Sequence, residues 1–151
     1  MQVREILTIK GNALFTIPPS KALAEAIAIM AEHDVGSLVC FDAGRMAGML
    51  TFREVFKALR QHGANAGSVT IADVMVPEPR CAAPSMEIGD LRRMMVDLHI
   101  RYLPVMDGST LLGVISFHDV ARAVLEEQSF ENRMLKAYIH DQPVEPRSPG
   151  N

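Results

Sequence analysis

The chain contains no tryptophan, and aromatic residues make up only 5% of it. A core built from it must be aliphatic and, with ten methionines, rich in thioether side chains. Cysteine is equally scarce. Cys40 and Cys81 are too few for a disulfide framework, so reduced thiols in a cytoplasmic setting are expected. Neither has a histidine or acid placed for nucleophilic chemistry. Positive charge is not in excess. Fifteen Lys and Arg stand against eighteen Asp and Glu, a net charge of -3, which argues against a nucleic-acid partner. The Arg92-Arg93 pair reads as a solvated helix face. No apolar run approaches the roughly 18 residues of a membrane span. The opening MQVREILTIKGN has no apolar stretch and no small-residue cleavage site, so neither a signal peptide nor a membrane partner is expected. His33, His62, His99, His118 and His140 lack ligand spacing, so no metal is expected.

What is present is enough for a real core. Apolar residues are 48% of 151, which suits one domain or two small modules sharing a core. The chain also repeats itself. SLVCFDAGRMAGMLTFREVFKAL, from Ser37, aligns without a gap to YLPVMDGSTLLGVISFHDVARAV, from Tyr102, at an offset of about 65 residues. Leu38 pairs with Leu103, Asp42 with Asp107, Gly48 with Gly113, Phe52 with Phe117 and Val55 with Val120. Upstream, Pro19-Ser20 pairs with Pro84-Ser85 and Met30 with Met95.

Each unit reads as strand, helix, strand, strand, helix. In the first, Ala13 to Thr16 is a short apolar stretch. Pro18-Pro19-Ser20 serves as turn and N-cap of a helix whose apolar face carries Leu23, Ala26, Ile27, Met30 and Ala31. Asp34-Val35-Gly36 ends it. Ser37 to Phe41 and Met46 to Leu50 form a hairpin around Asp42 to Arg45. Thr51 caps a helix running to about Gln61. In the second unit the same elements are Cys81 to Ala83, a helix from Ser85, Tyr102 to Met106, Leu111 to Ile115, and a helix from Ser116. Short helices at Val3 to Leu7 and Ile71 to Met75 lead into the two units. The expected divisions are a first unit over 1–62, a linker over 63–69, a second unit over 70–125, a helical extension over 126–141 and a disordered tail over 142–151.

This pattern resembles a tandem pair of CBS domains (cystathionine-β-synthase-type domains), over roughly Val3 to Leu125. The extended helix around LKAYIHDQP is similar to that of small stand-alone bacterial members. The family pattern is Gly, two apolar residues, Ser or Thr, two variable residues and Asp at a strand-to-helix junction. Gly113-Val114-Ile115-Ser116-Phe117-His118-Asp119 fits it throughout. Gly48-Met49-Leu50-Thr51-Phe52-Arg53-Glu54 departs only at the acid. The resemblance implies an α/β (α+β) fold of two β-α-β-β-α units packed sheet to sheet with pseudo-twofold symmetry. It also implies two clefts for adenosine-containing ligands (AMP, ADP, ATP, NAD(H) or S-adenosylmethionine), a homodimer, and a sensing rather than enzymatic role.

The residues themselves support that chemistry. Ser116 and Asp119 lie three apart at the start of a helix. A carboxylate there can accept both ribose hydroxyls, in charge-assisted bonds worth roughly 1.5–3 kcal/mol. The first-turn amides favour phosphate. Taken alone, the same two residues also read as an N-cap and its first-turn acid. Arg101 suits a phosphate, and His118 is a second, pH-dependent contact. By resemblance, Lys10-Gly11-Asn12-Ala13 lies against adenine and reads its edge through backbone groups. Val35 and Gly36 lie beside it, and Ile100 and Val114 sandwich the ring. The mirror site uses Met49, Thr51, Arg53, Glu54 and Tyr102. It is expected to bind more weakly, because the two prolines of its lead-in Pro77-Glu78-Pro79 lack amide donors and Glu78 repels phosphate. Phe130, Leu135 and Tyr138 on the final helix are a candidate contact for a second copy or an effector partner. Two further readings remain: a structural dimerisation module whose clefts bind no ligand, and a nucleotide hydrolase. The hydrolase would need a general base and a metal cluster, and the sequence offers neither.

Overall fold

Two glycines set the packing of this chain. Gly48 and Gly113 occupy equivalent places in the two repeats, and each lets a segment from outside its own hairpin lie against the strand. A Cβ at Gly113 would stand 3.0 Å from Leu7 Cδ2. One at Gly48 would stand 2.6 Å from both Met75 Sδ and the Val76 carbonyl. The computed structural model describes residues 1–11 and 14–141.

In chain order the elements are α1 (Val3–Lys10), β1 (Thr16–Ile17), α2 (Leu23–His33), β2 (Ser37–Asp42), β3 (Arg45–Thr51) and α3 (Phe52–His62). A 3-10 turn over Gly63–Ser68 follows. Next come α4 (Ile71–Val74), β4 (Val76–Pro77), α5 (Ile88–Asp97), β5 (Tyr102–Asp107), β6 (Thr110–Ser116) and α6 (Phe117–Asp141). One sheet has the order β1-β2-β3-β4, and the other is the β5-β6 hairpin. Both hairpins shift register at the same repeat position, between Cys40 and Phe41 and between Val105 and Met106. Asp34 and His99, also equivalent, follow the first helix of each unit in left-handed conformations (φ 52° and 53°). The repeat is thus reproduced in its irregularities as well as its elements.

The two cores exchange their lead-in helices. Val3 and Ile6 of α1 are buried with Ile88, Leu91, Met95, Leu103, Val105, Ile115 and Val120 of the second unit. Ile71 of α4 is buried with Ile17, Leu23, Met30, Leu38, Leu50 and Val55 of the first. Each short helix thus precedes one unit in the chain and packs in the other. This exchange realises the pseudo-twofold relation of the α/β units.

Several local expectations shift. The N-caps of α2 and α5 are Ala22 and Glu87, not Ser20 and Ser85, and neither side chain accepts a capping hydrogen bond. Backbone from outside the unit takes over that task. Leu23 N–H donates to the Val69 carbonyl at 2.8 Å, and Ile88 N–H to the Met1 carbonyl at 3.0 Å. β1 covers Thr16–Ile17 rather than Ala13 to Thr16, because those two residues pair in parallel with Val39 and Cys40. Phe15 stacks on His33 instead, at 4.1 Å between ring centres. Cys81 to Ala83 contributes only a bridge from Ala82 to Val105. The tail over 142–151 lies outside the described residues.

The units also meet directly. Tyr102, at the start of β5, lies over Gly36 beside Phe52, and a Cβ at Gly36 would stand 2.0 Å from its hydroxyl. Gly36→Ala should therefore destabilise the protein by about 1–3 kcal/mol, as overpacking does. Gly89→Ala, in open space on α5, should be neutral or stabilising by up to about 1 kcal/mol. Urea unfolding of the two variants measures the contrast, and equal effects would contradict the close approach.

Candidate functional site

The turn from β6 into α6 brings the main candidate residues together. Thr110–Ser116 pairs antiparallel with Tyr102–Asp107, so Ser116 stands opposite Tyr102 at the sheet's end. Ser116 and Asp119 close a reciprocal cap. Asp119 N–H donates to Ser116 Oγ at 3.0 Å, and Ser116 N–H donates to Asp119 Oδ2 at 2.9 Å. This satisfies two amides that a helix start leaves unpaired. Phe117 N–H donates to the Arg101 carbonyl at 2.8 Å, which fixes Arg101 beside the α6 N-terminus. Its side chain and that of His118 are exposed.

Lys10 enters this cluster from the other end of the chain. It is the last residue of α1, and Nζ donates to Asp119 Oδ2 at 2.7 Å and to the Val114 carbonyl at 2.8 Å. The family resemblance implies a role for the Lys10 backbone; in the structure its ammonium is engaged as well. The signal was present in the repeat, where the offset aligns Lys10 with Met75, a cation against a thioether. Gly11 follows as the α1 C-cap, at φ 91° with its N–H on the Leu7 carbonyl. Asn12 and Ala13 lie outside the described residues.

The carboxyl of Asp119 is pulled two ways. Burial pushes it up, but the Lys10 ammonium, the Ser116 amide and the Ser116 hydroxyl outweigh that and hold it below its ordinary value. The group is therefore a carboxylate at neutral pH and only an acceptor. Val114, whose carbonyl Lys10 also holds, and Ile100 are half-buried, and Ile100 and Val35 each close the helix before them through their N–H. Gly36 lies against Tyr102, not open to a ligand on that side.

The mirror residues are arranged differently. Glu54 is 6% exposed, and its Oε1 accepts from both Thr51 N–H at 2.9 Å and Thr51 Oγ at 2.7 Å. Its extra methylene lets it fold back onto its own cap. Arg53 N–H completes that cap on Thr51 Oγ, while the Arg53 side chain is exposed. Met49 is buried and pairs with Val76 of β4. Among the described residues no ammonium bonds to Glu54, and Met75, which the repeat aligns with Lys10, lies against Gly48.

Burial raises the thiol of Cys40 to about 11 and also pushes Cys81 up, so neither is a ready thiolate at neutral pH. Among the described residues, no helix is long and apolar enough to cross a membrane.

Comparison with known proteins places this arrangement in context. The CBS-domain model matches the chain twice, over residues 3–61 and 71–126. The mitochondrial CBS domain-containing protein CBSX3 of Arabidopsis thaliana is 33% identical over 120 residues, covering 76% of this chain and 58% of that protein. The chain thus spans less than two thirds of that relative's length. A CBS-domain-containing protein of Agrobacterium tumefaciens, solved by crystallography, superposes with a TM-score of 0.78 at 27% identity, over 82% of this chain and 98% of that one. CBSX2, solved in complex with AMP, shares the fold with a TM-score of 0.71 at 23% identity, over 84% of this chain and 98% of that one.

The Asp119 cluster makes a pH prediction. A carboxyl held below 3.8 adds stability above that pH and loses it as the pH falls further. Asp119→Asn should cost about 1 kcal/mol at pH 7 through the lost ion pair and first-turn charge. That difference from wild type should vanish as the pH falls below 3.8. Urea unfolding across this range measures it; a constant difference would contradict the carboxylate's role.

Proposed function

The chain belongs to the CBS-domain family, and from that premise we propose that it is a regulatory module binding an adenine nucleotide beside Asp119. The observation that carries this reading is the carboxylate itself. It stays ionised, it sits at a helix N-terminus, the Lys10 ammonium is bonded to it, and the backbone of Arg101 is fixed beside the same helix start. A ribose diol suits the acceptor, and a phosphate suits the cations and the first-turn amides. Ser116 orients the carboxylate. Val114, Ile100 and Val35 offer apolar surface for adenine, with Gly11 along the base edge. AMP, ADP, ATP and NAD(H) all carry this combination, and the AMP complex of CBSX2 supports its use on this fold.

The Thr51-Glu54 half is the weaker site. Its acid is enclosed and already bonded, and no lysine stands at the position of Lys10. The module acts as a homodimer in this reading. Phe52, Phe56 and Leu59 on α3 and Phe117 and Leu125 on α6 leave apolar surface exposed, which a second copy would cover. Farther along α6, Phe130, Met134, Leu135, Tyr138 and Ile139 are exposed for the copy or an effector. Unpaired cysteines, one of them buried, suit the cytoplasm.

One observation favours a second reading. The Lys10–Asp119 pair neutralises the carboxylate without any ligand, as a purely structural dimerisation module would require. Thermal unfolding separates the two. The panel is AMP, ADP, ATP, NAD, NADH, S-adenosylmethionine and GTP, on wild type, Asp119→Ala and Glu54→Ala. A ligand at 100 times its Kd adds about 2.7 kcal/mol, a rise of about 5–10 °C at this size. The expected result is a shift with adenine ligands, lost in Asp119→Ala and kept in Glu54→Ala. No shift with any ligand would overturn the sensor reading in favour of the structural one.

A further inference from the structure

The carboxylate assigned to ribose is already engaged. Asp119 Oδ2 takes two donors, the Ser116 amide at 2.9 Å and Lys10 Nζ at 2.7 Å. The amide belongs to the helix cap and cannot leave without opening it. The ammonium sits on a flexible four-carbon stem and can. A diol gripping both carboxylate oxygens therefore contests Oδ2 with Lys10. The pair is also confined to one half of the molecule. At the equivalent position Met75 lies against Gly48, and Glu54 is held by Thr51 alone among the described residues.

We propose that Lys10 selects the ligand of the Asp119 site, rejecting adenine nucleosides without a phosphate and accepting adenosine 5′-phosphates. This rests on the ribose role of Asp119 proposed above. In the free protein Lys10 holds Asp119 and the Val114 carbonyl. A ribose entering the site takes the carboxylate and frees the ammonium. With adenosine, the ion pair is lost and the ammonium gains nothing beyond water. With AMP, the phosphate receives it, next to Arg101 and the α6 N-terminus. The pair is thus a penalty common to all ligands, and only phosphate offsets it. Lysine suits an exchange between two anionic partners, because its charge is compact and its donors rotate.

The test is isothermal titration of AMP and adenosine into wild type, Lys10→Met, Lys10→Arg and Asp119→Ala. Lys10→Met installs the residue the first unit has at this place. In that variant adenosine should tighten about two- to fivefold, as release of a half-exposed ion pair allows. The preference for AMP over adenosine should fall about tenfold or more, one charge-assisted contact. Lys10→Arg should keep the preference. A stabilising role alone would move the unfolding temperature and leave that ratio unchanged. If Asp119→Ala abolishes AMP binding while Lys10→Met leaves the ratio within about twofold, the selection by Lys10 is overturned and the ribose reading survives. If neither ligand binds wild type or Lys10→Met, both are overturned.

Discussion

Everything in this molecule depends on each half lending a helix to the other. α1 completes the core of the second unit and α4 that of the first. The exchange is possible because Gly113 and Gly48 leave room where a side chain would collide with Leu7 or Met75. It has two consequences beyond stability. It joins the halves into one α/β structure, and it delivers Lys10, the last residue of α1, to the strand-to-helix junction of the second half. Lys10 reaches Asp119 only because Val3 and Ile6 are buried in the second core. A charge at the end of α1 thereby becomes part of a site made otherwise from residues a hundred positions away.

The junction itself serves two purposes with one set of groups. Ser116 and Asp119 cap α6 reciprocally, and the same bonds hold the carboxylate ionised and oriented. Structural capping and the proposed ligand recognition are therefore compatible at this position. The cap places one oxygen firmly and leaves the other free of protein partners among the described bonds. In the first unit the same geometry is taken further inward. The longer Glu54 returns to Thr51 and is enclosed, so its capping role consumes what Asp119 offers to its surroundings. One methylene separates a presented acid from a retained one.

The repeat was legible because packing leaves a periodic trace. Paired glycines, hairpin turns and the Ser/Thr-to-acid spacing each reflect a local rule, so the hairpins, α3, α6 and the caps at Thr51 and Ser116 could be read directly. What could not be read depends on contacts across the chain. The starts of α2 and α5 are set by carbonyls of Val69 and Met1, which no local cap signal reveals. The exchange of α1 and α4 lies in the same class, since amphipathic faces state that a helix packs, not where. The side-chain role of Lys10 follows from that exchange. The approach of Tyr102 to Gly36 is likewise a contact between distant segments that no local signal reveals.

The most direct measurement is an amide NMR titration of the 15N-labelled protein with AMP, followed residue by residue. The expected result is saturable perturbation at Lys10, Gly11, Arg101, Ser116 and Asp119, with Thr51 and Glu54 responding only at higher concentration. Perturbation centred on Thr51 and Glu54, or no saturable change at any of these amides, would contradict a nucleotide site built on Asp119.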